Sequence, residues 1–226
     1  MPSFRTIRLV AVAVMLLTGL SLIGFGQTEV RIDFKTLKAE VRDRFDDDRA
    51  AVVDDLEALL DKVRPRGPEE WTERINGFFN RHMRYVEDDE LFGQSDYWAS
   101  PVEAIGLAAG DCEDFAIAKY LFLRKLGIDN SKLRLIYVRA RISGRTRAHM
   151  VLGYYPEPQA EPLILGSLID FIVPARDRTD LTPVFSFNSE GIWVGGQQRV
   201  SGPASDRLSR WRDVLQRAQA EGITLN

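Results

Sequence analysis

Cys112 is the only cysteine of the chain. It lies in the run Gly110-Asp111-Cys112-Glu113-Asp114, where a loop turns into an apolar helix. A structural thiol is normally surrounded by hydrophobic residues. This one stands among three carboxylates, with Gly110 freeing the backbone just before it. At a helix N-terminus the unpaired N–H groups and the positive end of the dipole stabilise a thiolate, which makes the sulfur a nucleophile. A single cysteine excludes an internal disulfide. Nucleophilic attack is the chemistry this segment suggests, ahead of a small buried residue at a helix start.

A thiol nucleophile requires a base, and the chain has two histidines, His82 and His149. His82 shares a helical stripe with Trp71, Ile75, Phe78 and Phe79, the setting of a partly buried structural histidine. His149 opens a strand downstream of the cysteine helix. A helix bearing cysteine packed on a sheet bearing histidine is the geometry of papain-like cysteine enzymes, so His149 is the expected base.

The elements that position these residues follow from periodicity. Apolar residues from Leu37 to Val63 recur at helical steps and predict one long helix over 33–63, broken by Pro65; Pro68 opens a second. Residues 86–104 read as an acidic, aromatic loop. The cysteine helix is apolar nearly all round, which places it centrally, and Gly127 suits its end. Beyond it the period becomes two. Strands are expected at 133–140, 148–155 and 163–169, with a last hairpin over 184–194. Ser205 and Asp206 cap a final helix carrying Leu208, Trp211, Val214 and Leu215. The fold class is α+β: a papain/transglutaminase-like core with N-terminal helices and the cysteine helix packed on an antiparallel β-sheet.

Arg5 and Arg8 precede the nearly uncharged run from Leu9 to Ile23, with Gly24 and Gly26 after it. That pattern predicts a signal peptide over residues 1–26 and one domain over 27–226. An uncleaved N-terminal anchor is the alternative, because no clean Ala-x-Ala site is present. The destination is then the periplasm. Loss of the leader takes the net charge from −3 to −5, and no basic cluster exists, which argues against nucleic acid as a partner.

Four motifs in fixed order resemble the bacterial transglutaminase-like cysteine proteinases, of the periplasmic type that releases biofilm adhesins. They are Trp98-Ala99-Ser100-Pro101-Val102-Glu103, Gly110-Asp111-Cys112-Glu113-Asp114-Phe115-Ala116, His149-Met150-Val151-Leu152, and the run from Asp180 to Asn188. The resemblance extends from about residue 30 to the C-terminus. It implies Cys112 as nucleophile, His149 as general base and acid, and calcium held by Asp111 and Glu113. Acids at a helix start also complement its dipole. Oxyanion donors would be the Cys112 backbone N–H and the Trp98 indole. The resemblance further implies a large adhesin substrate cut at a di-alanine motif, and an inner-membrane receptor that senses cyclic di-GMP.

One position departs from the pattern. Where the family carries Asp-Asn-Leu after a strand, this chain has Gly166-Ser167-Leu168. The carboxylate that would orient His149 is missing there. Asp170 is the nearest substitute, four residues or about 13 Å of extended chain further on. That departure leaves a second expectation open, a catalytically impaired relative acting as a binding or competitor module.

Overall fold

The Asp33 carboxylate accepts from the N–H groups of Lys35 and Thr36, and Asp46 accepts from Arg49. Each is a helix cap. The second interrupts what the apolar stripe predicts as one helix: α1 is Phe34–Arg44, and α2 is Asp47–Val63. An aspartate that can bond the backbone ahead of it favours a new start over continuation. The displaced Phe45 ring lies where a side chain at Gly106 would collide with it, 2.2 Å from the Cβ position. The structure is a computed structural model describing residues 29–194, 198–200 and 202–225; the predicted leader lies outside them.

α1 is preceded by β1 (Val30–Ile32), and α2 is followed by α3 (Pro68–His82), which starts at Pro68 as expected. The segment read as a loop is more ordered than its sequence suggests. β2 (Arg84–Tyr85) leads into it, and it holds α4 (Asp88–Leu91) and the start of α5 (Pro101–Leu107), the last opened by a Ser100/Glu103 capping box. Helices this short show no periodicity. β3 (Ala109–Gly110) pairs in parallel with β2, and α6 (Cys112–Leu126) follows at once. Gly127, at φ 110°, ends α6.

The antiparallel sheet is built from β4 (Leu133–Ile142), β5 (Arg145–Tyr154), β6 (Leu163–Leu165), β7 (Val173–Pro174), β8 (Leu181–Asn188), β9 (Gly191–Val194) and β10 (Gln198–Val200). Their order is β10-β9-β8-β4-β5-β6-β7. The third predicted strand is only β6; it stops at Leu165, and Gly166 begins a loop. Ser205 and Asp206 do not cap the last helix: they lie in a short 3₁₀ turn, Ala204–Asp206, and α7 (Ser209–Ala220) starts after Leu208 with no side-chain cap. β11 (Ile223–Leu225) pairs with β1 to join the two ends of the domain.

The sheet has two apolar faces. Leu135, Met150, Leu152, Leu165 and Phe187 pack toward α6 in the main core. Ile136, Val138, Val151 and Ile164 form a smaller cluster on the outer face. Each large apolar side chain so buried contributes about 2 kcal/mol.

α6 also buries Lys119, whose ammonium donates to Asn76 Oδ1 (2.8 Å), Asn80 Oδ1 (2.7 Å) and the Gly166 carbonyl (2.8 Å). Burial pulls its pKa down to about 7. All three protons are used, so the cation ties the cysteine helix to α3 and to the loop after β6. Lys119→Met strands three buried acceptors and is expected to cost about 3 kcal/mol, or roughly 10 °C in Tm. Thermal melts of the two proteins check this, and an unchanged Tm would remove the clamp from the account.

Candidate active site

The start of α6 is held from both sides. Asp111 is the N-cap, accepting from the Glu113 N–H at 3.3 Å. Asp114 accepts from the N–H groups of Asp111 (3.1 Å) and Ala99 (2.7 Å), stitching the helix to the strand and loop before it. A side chain at Gly110 would come within 2.5 Å of Asp114 Oδ2, which is why glycine precedes the cap.

This places Cys112 with little exposure, 7%, its Sγ donating to Glu113 Oε2 at 3.0 Å. Burial pushes the thiol up, the Glu113 and Asp111 carboxylates push it further, and the Met150 N–H opposes them. The helix start therefore does not produce the standing thiolate that the sequence suggests. Desolvation and like charge outweigh the dipole.

Cys112 and His149 line one cleft of about 280 Å³, together with Tyr85, Asp88, Trp98 and Tyr137. His149 lies on β5 and is 2% exposed. Burial lowers its pKa to about 4, the Arg178 guanidinium lowers it too, and Asp180 acts in the opposite sense. The ring is neutral, and its buried Nε2 has no hydrogen-bond partner. The thiol bonds Glu113 rather than His149. In substrate-free enzymes such catalytic contacts are often long and tighten in the complex.

The carboxylates go beyond the pair expected from sequence. Oxygen atoms of Asp88, Asp111 and Asp114 lie within 4.8 Å of one another, as do ligand atoms of Asp111, Cys112 and Glu113. Asp88 comes from α4 and Asp114 from the first turn of α6; neither was singled out in the sequence. The signal for Asp114 was there, inside the cysteine motif itself. Asp88 Oδ2 accepts from the Tyr97 N–H at 2.5 Å, while its buried Oδ1 has no partner. Burial raises Asp88 to about 6. Burial and mutual repulsion also push Asp111 and Asp114 up, and burial does the same to Glu113.

A raised carboxylate pKa means that the folded state holds protons the unfolded chain has released. Without a cation, stability contributed by Asp88 is therefore gained as pH falls through about 6 and is absent above it. His149 acts oppositely, costing stability as pH falls from 6.5 toward about 4. The difference in unfolding free energy between wild type and Asp88→Asn isolates the first effect. In chelated solution the wild type is expected to gain about 1–2 kcal/mol relative to the variant between pH 8 and 4, after allowance for solvent screening of the carboxyl; a flat difference would refute it.

Two expectations are corrected. Asp170 does not orient His149; its Oδ1 accepts from Asn80 at 3.3 Å and its carbonyl accepts from Asn76 at 2.8 Å, facing Lys119. The Trp98 indole lines the cleft, but its N–H is already given to Asp96 Oδ1 at 3.0 Å, so it is not a free oxyanion donor. His82 stacks on Phe78 at 4.3 Å, away from the cleft, in keeping with a structural role. What the sequence reading missed is Arg178, buried beside His149 and paired with Asp180 through two hydrogen bonds.

A lone buried thiol opening the central helix, a strand histidine across the same cleft, and helices on one face of an antiparallel sheet together define a thiol peptidase of the papain/transglutaminase class. Residues 61–156 match the family described as bacterial transglutaminase-like cysteine proteinase. A solved structure of Legionella pneumophila LapG aligns at 35% identity over 83% of this chain and 97% of its own, with a TM-score of 0.72. EGTA-treated L. pneumophila LapG aligns at 36% identity over 83% and 98% (TM-score 0.72), and the calcium-bound form at 37% over 82% and 99% (TM-score 0.70). No protein of curated function matches significantly. The chain belongs to the bacterial transglutaminase-like cysteine proteinases.

Proposed function

We propose that this protein is a periplasmic cysteine endopeptidase that cleaves the N-terminal retention region of a large surface adhesin at a di-alanine motif, under the control of an inner-membrane cyclic di-GMP receptor. The observation that carries the reading is the shared cleft of Cys112 and His149, within a chain aligned almost end to end with LapG. Tyr85, Trp98 and Tyr137 wall that cleft, which favours small residues such as alanine at the scissile bond.

Cys112 Sγ attacks the scissile carbonyl carbon while His149 takes the thiol proton. The Cys112 backbone N–H, unpaired at the helix start, donates to the oxyanion. His149 returns the proton to the leaving amine as the thioester forms, then draws a proton from the water that hydrolyses it.

The acidic cluster fits calcium. Three buried carboxylates converge, one oxygen is orphaned, and the donors are hard oxygens. Asp88, Asp111 and Asp114 would hold the ion, with Glu113 at its edge. Bound there, its positive charge offsets the carboxylates that raise the Cys112 thiol. Calcium-bound and EGTA-treated forms of LapG are consistent with that assignment.

The unpartnered Nε2 of His149 favours one other reading, a relative that binds the adhesin but turns it over poorly. Incubating the mature protein and calcium with a fragment spanning the adhesin's di-alanine motif separates the two. Two products in catalytic excess over enzyme support the peptidase. Stoichiometric capture without products would replace it with the binding module.

A further inference from the structure

After β7 the chain leaves the edge of the sheet and crosses its outer face to reach β8, passing over β6, β5 and β4. The crossing carries Arg178. Its backbone is fixed, the N–H donating to the Ala175 carbonyl and the carbonyl accepting from Leu181, both at 3.0 Å. Its guanidinium uses Nε and Nη2 on Asp180, at 2.9 and 2.8 Å. The residue is 6% exposed, and its third nitrogen, Nη1, is buried with no acceptor.

His149 presents a second orphan to the same place. On β5 it lies two residues from Val151 and shares its face, the face of the outer cluster. Val151 in turn stands beside Gly166: a Cβ there would lie 3.6 Å from Val151 Cγ1 and 3.7 Å from Arg178 Nη1, ordinary contacts with no clash. A Cβ therefore fits at this position without displacing a neighbour. Arg178 Nη1 lies beside that position, and His149, on the same face as Val151 and within electrostatic reach of the Arg178 guanidinium, carries an unpartnered Nε2; both residues are nine-tenths or more buried. Each orphan bears the desolvation cost of a buried polar group left unpaired. The two neighbouring carboxylates are committed elsewhere, Asp180 to Arg178 and Asp170 to Asn80.

We infer that the space over Gly166, between Arg178 Nη1 and His149 Nε2, is a binding site for one small monovalent carboxylate, which orients His149 in place of a side chain. Such an anion accepts from Nη1–H and from Nε2–H together. Its negative charge holds the imidazole proton on Nε2 and leaves the Nδ1 lone pair for the cleft, the tautomer a general base needs. A water molecule can accept from Arg178 and donate to Nε2, which an acceptor-only carboxylate cannot do. Donation to Nε2 places the proton on Nδ1, where the ring cannot deprotonate the thiol, so water leaves both tautomers open and the anion selects one.

The activity readout rests on the proposed peptidase function, so the test uses formate as probe with two independent measurements. One is kcat/KM for the adhesin fragment; the other is the rate of Cys112 alkylation by iodoacetamide, which needs no substrate. At constant ionic strength set with sodium sulfate, formate is expected to raise both rates saturably, by about tenfold. Gly166→Asp is expected to reach the raised rate without formate and to ignore it. Arg178→Gln is expected to lose the response; should it fail to fold, Gly166→Asp carries the test alone. Nitrogen-15 shifts of His149 are expected to report the proton on Nε2 with formate bound. The inference is overturned if formate changes neither rate, if Arg178→Gln responds like wild type, or if the proton stays on Nδ1 throughout. Alkylation that responds to formate while the fragment stays intact would keep the anion site and remove the substrate reading instead.

Discussion

Cys112→Ser is expected to abolish peptide cleavage, lowering kcat by about a thousandfold or more, while leaving the fold intact. Both halves follow from the site. The nucleophile is the sulfur itself, and a serine hydroxyl beside a neutral, poorly oriented imidazole is a far weaker nucleophile. His149 is held at about pKa 4 by burial and by Arg178, so it lacks the basicity to activate an alcohol. The structural cost is small because the thiol makes one side-chain hydrogen bond, to Glu113, which serine can replace. Fragment cleavage followed by gel and mass spectrometry, with circular dichroism as the folding control, checks it. Undiminished cleavage by the folded variant would remove Cys112 from the mechanism.

Calcium is expected to stabilise the protein as strongly as any single change described above. At a thousand times its Kd, a ligand that binds only the folded state adds about 4 kcal/mol. For a chain of this size that is roughly 10 °C in Tm. The physical source is the convergence of Asp88, Asp111 and Asp114, whose raised pKa values record the repulsion a cation would relieve. The double variant Asp88→Asn, Asp111→Asn is expected to melt higher than wild type in EGTA and to ignore added calcium. Asp114 is left alone because it also accepts from the Ala99 and Asp111 N–H groups. Calorimetric melts with and without calcium decide the matter; an equal calcium shift in the double variant would move the ion elsewhere.

The chemistry was legible where it is local. The acidic flank of Asp111, the glycine at Gly110, the thiol at the helix start and the stop at Gly127 are all set by neighbours within four residues, so the sequence displays them. The α+β order was equally plain, because a central helix apolar all round and strands of period two leave few other arrangements. Elements were misread where a short-range bond beat periodicity: the Asp46 cap divided one helix into two. α4 and α5 went unseen because a single turn or two has no period. The third strand was overextended because Leu168 and Ile169 continue its apolar pattern past Gly166, although the chain turns there to meet Lys119.

By itself the sequence singled out Cys112 as the candidate nucleophile and His149 as its candidate base, and its resemblance to the family marked Gly166 as the place where a carboxylate is expected. Tertiary structure alone decided the state of those groups. Burial and converging carboxylates raise a thiol that the helix dipole alone would have lowered. Asp88, from a separate element, joins the acidic cluster, and a strand crossover sets Arg178 against Gly166 and within electrostatic reach of His149. The division has one cause: a residue's chemical type is written in the chain, whereas its protonation depends on desolvation and on charges brought within a few ångströms from distant segments.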